Sequence, residues 1–213
     1  MFYLSRSEGI DSEKVMNKTG LLLMLSCVLS GVYAQNNDSN KIVVTDKGTG
    51  IDIKLGDSTI SFTNEGLYQM FINDGIQLAA EGRYEEAINK FKLSLLYVSN
   101  DPEAYYYIGL AYYYLQHEQE ALEYLNDALR LDDHHYLSLI MRGIIYSKME
   151  LFNHAEDDFN LAISISPENP QGYFNLGISY LMNNETEKAC DNLKKAIDLG
   201  DTRAAEVFTD YCH

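Results

Sequence analysis

The residue types that could do chemistry in this chain are few, and their spacing argues against most reactions. The five histidines, His117, His134, His135, His154 and His213, are scattered. Asp132-Asp133-His134-His135 is the one run that combines metal-ligand types. Adjacent residues rarely converge on a single ion, however, and a solvated acidic turn is the commoner meaning of such a run. Gly48-Thr49-Gly50 lacks the third glycine and the following helix of a phosphate-binding loop. A serine nucleophile elbow and an HExxH zinc motif are both missing. These absences predict no catalytic residues, no metal and no other cofactor. They point to a non-enzymatic protein, with an enzyme of unrecognised site as the remote alternative.

Cysteine chemistry depends on compartment. Cys27 lies in Leu21 to Leu29 (LLLMLSCVL), a nine-residue run without charge. A membrane-spanning helix needs roughly 18 apolar residues or more, so the chain is not expected to span a membrane. Lys18 precedes the run and Val32-Tyr33-Ala34 follows it, the order of a secretory signal with a small-residue cleavage site. Export to a periplasm or cell envelope is therefore expected, with Gln35 opening the mature chain. The stretch before Met16 mixes both charges and fits no signal, so Met16 is the expected start. Lipidation of Cys27 is the rival reading, but Met24-Leu25-Ser26 fits a lipoprotein pattern only loosely. Removal of the signal leaves Cys190 and Cys212, an even count in an oxidising compartment, and a disulfide between them is expected.

The charge balance narrows the partners. Acidic residues outnumber basic ones 32 to 16 over 213 residues, a formal net charge of -16. That field repels nucleic acid and anionic lipid surfaces, so a protein or peptide partner is expected and nucleic acid is not. Tyr occurs 17 times and Trp never, which favours surfaces built from rings carrying a hydroxyl at the tip.

The elements that position these side chains follow from a repeat. Gly75, Gly109, Gly143 and Gly177 are 34 residues apart, and so are Ala87, Ala121, Ala155 and Ala189. Phe91, Leu125, Phe159 and Leu193 keep the same step, as do Leu78, Tyr112, Tyr146 and Tyr180, and Ser94, Ala128, Ala162 and Ala196. Within one unit, Pro102 to Leu115 and Glu118 to Leu131 each carry apolar residues three and four apart, the spacing of one helical face. Small residues let two helices approach closely, and large neighbours fill the groove between them. An all-α stack of helical hairpins is expected.

A unit of this length with Gly, Tyr, Ala, Phe and Ala in these columns resembles the tetratricopeptide repeat family, and together with the export signal an exported bacterial member of it. The resemblance implies a right-handed superhelix with repeats over 64–101, 102–135, 136–169 and 170–201 and a capping helix over 202–213, preceded by the export signal read above over 1–34 and a linker and β-hairpin or flexible segment over 35–63. Departures from the family pattern are Asp74 and Arg142, where it prefers Leu, and Glu118 and Thr186, where it prefers an aromatic residue. In this family the first helix of each unit lines the concave face. The resemblance thereby assigns a peptide-binding groove to Ile72, Ile76, Tyr106, Leu110, Tyr113, Ile140, Ile144, Phe174, Ile178 and Leu181, with Ala79 and Ser147 beside them. Family members that bind acidic C-terminal peptides clamp them with Lys and Arg on this face. Here only Lys148 lies near it, so that ligand class is not expected.

In the segment before the repeats, Ile51 to Leu55 and Thr59 to Thr63 alternate apolar and polar residues around Gly56-Asp57-Ser58. A hairpin is expected, with Ile42 to Thr45 as a candidate third strand. In the capping helix, Ala204, Phe208 and Tyr211 are expected to face back onto the stack. Two roles remain open at this point: a binding adaptor of the cell envelope whose groove holds an apolar or aromatic peptide, or a structural subunit whose groove is filled by its own hairpin or by a second copy of the chain.

Overall fold

The structure, a computed structural model, describes residues 42–55 and 58–212. The expected export segment with Cys27, the linker after it and the Gly56-Asp57 turn lie outside the described residues. The chain divides into two compact units, residues 1–67 and 68–213.

The first unit holds three antiparallel strands in the order of the sequence, β1 Ile42–Asp46, β2 Gly50–Leu55 and β3 Ser58–Thr63. Register pairs Ile51 with Phe62 and Ile53 with Ile60, which places the apolar residues of both strands on one face. Ile51 on that face is buried, whereas Ile60 at the far end is 59% exposed. Gly50 must be glycine, because a Cβ there would run into the backbone of Phe62 and Thr63 across the ladder. At the end of β3 the Thr63 hydroxyl accepts from the Gly66 N–H at 3.0 Å, turning the strand into a helix.

Nine helices follow among the described residues: α1 Asn64–Ala80, α2 Tyr84–Ser94, α3 Pro102–Tyr114, α4 Glu118–Leu131, α5 Tyr136–Lys148, α6 Phe152–Ile165, α7 Pro170–Met182, α8 Thr186–Asp198 and α9 Thr202–Tyr211. Asp101, His135, Asn169 and Asp201 precede α3, α5, α7 and α9, and each side chain accepts from a backbone N–H of the first turn. The start of each first helix is thus fixed chemically, with Pro102 and Pro170 pre-set for the first helical position.

The periodic columns are the packing. A Cβ on Gly109 would stand 2.9 Å from Leu125 Cγ, on Gly143 2.6 Å from Phe159 Cε1, and on Gly177 2.9 Å from Leu193 Cγ, while one on Gly75 would enter the Phe91 ring. The glycine column and the large-residue column sixteen positions later are therefore the two sides of one contact. Ala87, Ala121, Ala155 and Ala189 are fully buried, as are Ser94, Ala128, Ala162 and Ala196. A continuous core passes along the units, from Leu129 through Leu139, Phe159 and Leu176 to Ala189.

The two departures from the apolar pattern are explained by charge. Asp74 meets Lys90 Nζ at 2.9 Å. Arg142 donates from Nε and Nη2 to the two carboxylate oxygens of Asp158 at 2.8 and 2.6 Å, and from Nη1 to Asn126 at 2.7 Å. In both units an ion pair with the same sixteen-residue separation takes the place beside the glycine contact, with opposite polarity. Burial opposes the charge on Arg142, but the Asp158 carboxylate outweighs it and the guanidinium is pushed above its usual range.

α9 packs on α8 with Ala204 fully buried and Val207 and Phe208 against Leu193 and Ala196. Tyr211, expected in that stripe, is 59% exposed. It stands at the last turn beside Thr186, Glu187 and Cys190 at the start of α8, open to solvent, and Val207 packs inward instead.

Candidate functional site

The first helices of successive units, α3 and α5 and again α5 and α7, touch one another, whereas no second helix packs comparably on the next second helix. The first helices therefore line the tighter, inner side of the array, and the residues of the expected groove can be placed on it. Ile72 and Ile140 are core residues, with 5% and 2% of their surface exposed, and Ser147 is buried with its hydroxyl bonded to Ser179. These positions do not belong to an open groove. Short side chains sink beneath their neighbours there, whereas the larger rings at the equivalent positions, Tyr106 and Phe174, extend past them. Ile76 is exposed, and Tyr106, Leu110, Tyr113, Ile144, Phe174, Ile178 and Leu181 are half-buried. These seven with Ile76 form a row of partly exposed apolar side chains.

Five of the seven also pack against the core, Tyr106 and Tyr113 on the cluster of Leu122 and Leu125, Ile144 and Leu181 on that of Leu139 and Phe159, and Phe174 on that of Leu193 and Ala204. The Arg203 guanidinium of α9 lies 4.5 Å from the Phe174 ring centroid, and Phe174 belongs to the apolar cluster around Leu193 and Ala204. Lys148 Nζ stands 5.5 Å from the Tyr113 ring centroid. That ammonium also donates to Gln116 Oε1 at 2.7 Å and pairs with Glu118, whose carboxyl it holds below the usual range. Both cations beside these rings are thus engaged by groups of this chain, Lys148 by Gln116 and Glu118 and Arg203 by Asp201 at 2.6 Å, so neither stands ready as the donor a carboxylate clamp would need.

The richest part of the face is on α3, and half of it escaped the sequence reading. Tyr106 packs against Tyr107 with ring centroids 5.4 Å apart and against His135 at 5.8 Å. Tyr113 meets Tyr114 edge-on at 5.8 Å, and Tyr114 stacks on Tyr84 at 5.0 Å. Tyr114 is 52% exposed. His135 Nδ1 accepts the Ser138 N–H, so the proton sits on Nε2, which donates to Glu103 Oε2 at 3.1 Å. Burial, with the Glu103 charge next, pushes the Tyr106 and Tyr107 hydroxyls up to about 12. The signal for the missed residues was the doubling itself: Tyr106-Tyr107 and Tyr113-Tyr114 each place one ring on the expected position and one beside it.

The remaining candidates fall elsewhere. Asp132, Asp133 and His134 bring one ligand atom each within 4.8 Å of the others, but all three are exposed. Asp132 is already bonded to the His134 N–H and Asp133 to the His134 ring, as in a solvated turn. Cys190 on α8 and Cys212 at the end of α9 lie side by side, with Cα atoms 5.7 Å apart, the separation a disulfide spans.

Three forms of the tetratricopeptide repeat pattern match residues 102–135, 136–169 and 159–191. The chain belongs to the tetratricopeptide repeat family. The human tetratricopeptide repeat protein 6 is 30% identical over 129 residues, 59% of this chain and 24% of that protein. The chain spans about a quarter of the length of the curated relatives it matches. Among solved structures, residues 41 to the end of MamA from Desulfovibrio magneticus RS-1 are 25% identical and cover 63% of this chain and 76% of their own, with a TM-score of 0.57. YrrB, described as a tetratricopeptide repeat protein with an unusual peptide-binding site, is 22% identical and covers 67% of this chain and 74% of its own, with a TM-score of 0.58. The two solved structures share the helical-hairpin stack, and repeat proteins of this family serve as protein–protein interaction scaffolds.

Proposed function

We propose that this scaffold holds an apolar or aromatic peptide segment of another protein along the inner face of its first helices, and that it does so after export, in a periplasm or cell envelope. The observation that supports this reading is the row of half-exposed apolar side chains from Ile76 through Leu110, Tyr113, Ile144 and Ile178 to Leu181. Rings and branched aliphatics offer broad contact area with few rotors to immobilise, and aromatic residues recur at binding hot spots for that reason. Among the described residues no helix is long and apolar enough to cross a membrane. The reading is tested by selecting random displayed peptides on the folded protein and on a Tyr113→Ala/Ile178→Ala variant. Selected peptides should lose at least about tenfold in affinity on the variant while its helix content is kept. Peptides held equally by both proteins would place the binding surface elsewhere. The mass of the protein isolated from its native cell, expected to start at Gln35, tests export.

A further inference from the structure

The repeat array treats cations in one consistent way. Lys90 lies 5.6 Å from the Phe71 ring centroid, and Lys92 lies 5.5 and 5.4 Å from those of Tyr112 and Tyr124. Lys188 is 4.9 Å from the Tyr180 centroid and Arg203 4.5 Å from that of Phe174. On the inner face this pattern is met at Phe174, where Arg203 is paired with Asp201, and at Tyr113, where Lys148 covers the ring and is held by Glu118. The Tyr113 end of the α3 stripe therefore shows, with the chain's own lysine, what a ring and a carboxylate together accept. The other end of the same stripe has the same parts without the cation. Glu103, 39% exposed at its side chain, lies beside Tyr106 and Tyr107, with Tyr114 further along the stripe. Among the described residues no Lys or Arg stands over any of these three rings, and Glu103 meets the Tyr107 hydroxyl and the His135 ring but neither a Lys nor an Arg. The chain's net charge of -16 adds a long-range attraction of the same sign.

Resting on the reading of the inner face as a peptide groove, we propose that the partner segment is basic, and that one of its Lys or Arg side chains lies on Tyr106 and Tyr114 with its charge toward Glu103. The cation selects the segment and sets its register, while the aliphatic residues further along the face supply area. The partner thus differs in sign from the acidic peptides that a carboxylate clamp takes.

The experiment uses the full chain and synthetic peptides selected from a random display library. Selected peptides should carry Lys or Arg next to aromatic or aliphatic residues, and replacing that cation by Gln should weaken binding about 3- to 10-fold, the scale of one exposed cation–ring contact with one exposed ion pair. On Glu103→Gln the two peptides should bind alike, with the Gln peptide unchanged from wild type. Tyr114→Leu keeps apolar volume at an exposed position, removes the ring, and should likewise shrink the difference, so the test survives if one variant folds poorly. A Gln peptide as tight as its parent, discrimination that persists in both variants, or selected peptides rich in Asp and Glu would overturn the proposal and leave the groove intact. Failure to select any peptide, or peptides indifferent to Tyr113→Ala/Ile178→Ala, would overturn the groove reading itself.

Discussion

Four residues at the turn inside each unit show how the period governs even the backbone. Gly82, Gln116, Glu150 and Asn184 stand 34 positions apart and all take positive φ, +78°, 62°, 60° and 61°. In each, the next residue's N–H reaches back to the carbonyl of the Leu78, Tyr112, Tyr146 or Tyr180 column, closing the first helix. Only Gly82 occupies this left-handed conformation without Cβ strain, so Gln116→Gly and Glu150→Gly should each stabilise the protein by about 0.5–1 kcal/mol in chemical denaturation. No change or a loss would mean that the side chains hold these turns by contacts worth more than the strain. Arg142 and Asp158 behave differently, because Asp158 is buried and, among the described residues, its charge is met by Arg142 and no other cation. Arg142→Met should cost about 3–5 kcal/mol, while Arg142→Met with Asp158→Leu should recover most of it. Equal costs for single and double variants would show that packing, and not the orphaned carboxylate, sets the loss.

At the scale of elements, α9 packs on α8 and reaches α7 through Arg203 on the Phe174 ring, and a helix of ten residues is marginal alone. Two attachments hold it, the buried Ala204 and the Asp201 cap bonded to the Arg203 N–H at 3.0 Å, and Cys212 lies where a disulfide to Cys190 would add a third. If the cysteines are linked as their placement implies, denatured oxidised protein should show no thiol titre from this pair. Cys212→Ser should then cost about 3 kcal/mol for the 22-residue separation and raise hydrogen exchange in α9 before any other helix. A full thiol titre would refute the linkage. The first helices, the glycine contacts and this cap were legible in the sequence because close approach of two helices admits only small residues at a fixed spacing. Which ring of Tyr106-Tyr107 or Tyr113-Tyr114 faces the groove was not legible. One residue is about 100° of helix rotation, and neighbouring units decide whether a position sinks, as at Ile72 and Ile140, or projects. The positive-φ column stayed hidden too, since Gln, Glu and Asn do not announce a left-handed turn as Gly82 does.

Over the whole molecule, the abundance of tyrosine makes the fold sensitive to alkali in a way that tests how the inner face is built. The hydroxyls of Tyr106 and Tyr107 are held at about 12, above the ordinary tyrosine value of about 10. Burial is the main cause for both, and the Glu103 carboxylate adds to it, so the folded state favours the neutral ring more than the unfolded state does. The linkage therefore has one sign. The stabilisation is complete below about pH 10, where both states hold the proton, and it is lost as pH rises from about 10 to about 12, where only the folded state still does. Rings open to solvent should ionise first with the helices intact. The last tyrosinate absorbance should then appear together with loss of far-ultraviolet helix signal, as the buried rings ionise by unfolding. Tyr106→Phe removes one of the protons that drive this step and keeps the ring, so its helices should persist to a higher pH than those of the wild type. A midpoint that is unchanged or lower would show that Tyr106 ionises freely in the folded protein. The hydroxyl would then face solvent on the groove rather than the Glu103 side, and the cation placement proposed for that stripe would have to be redrawn around Tyr114.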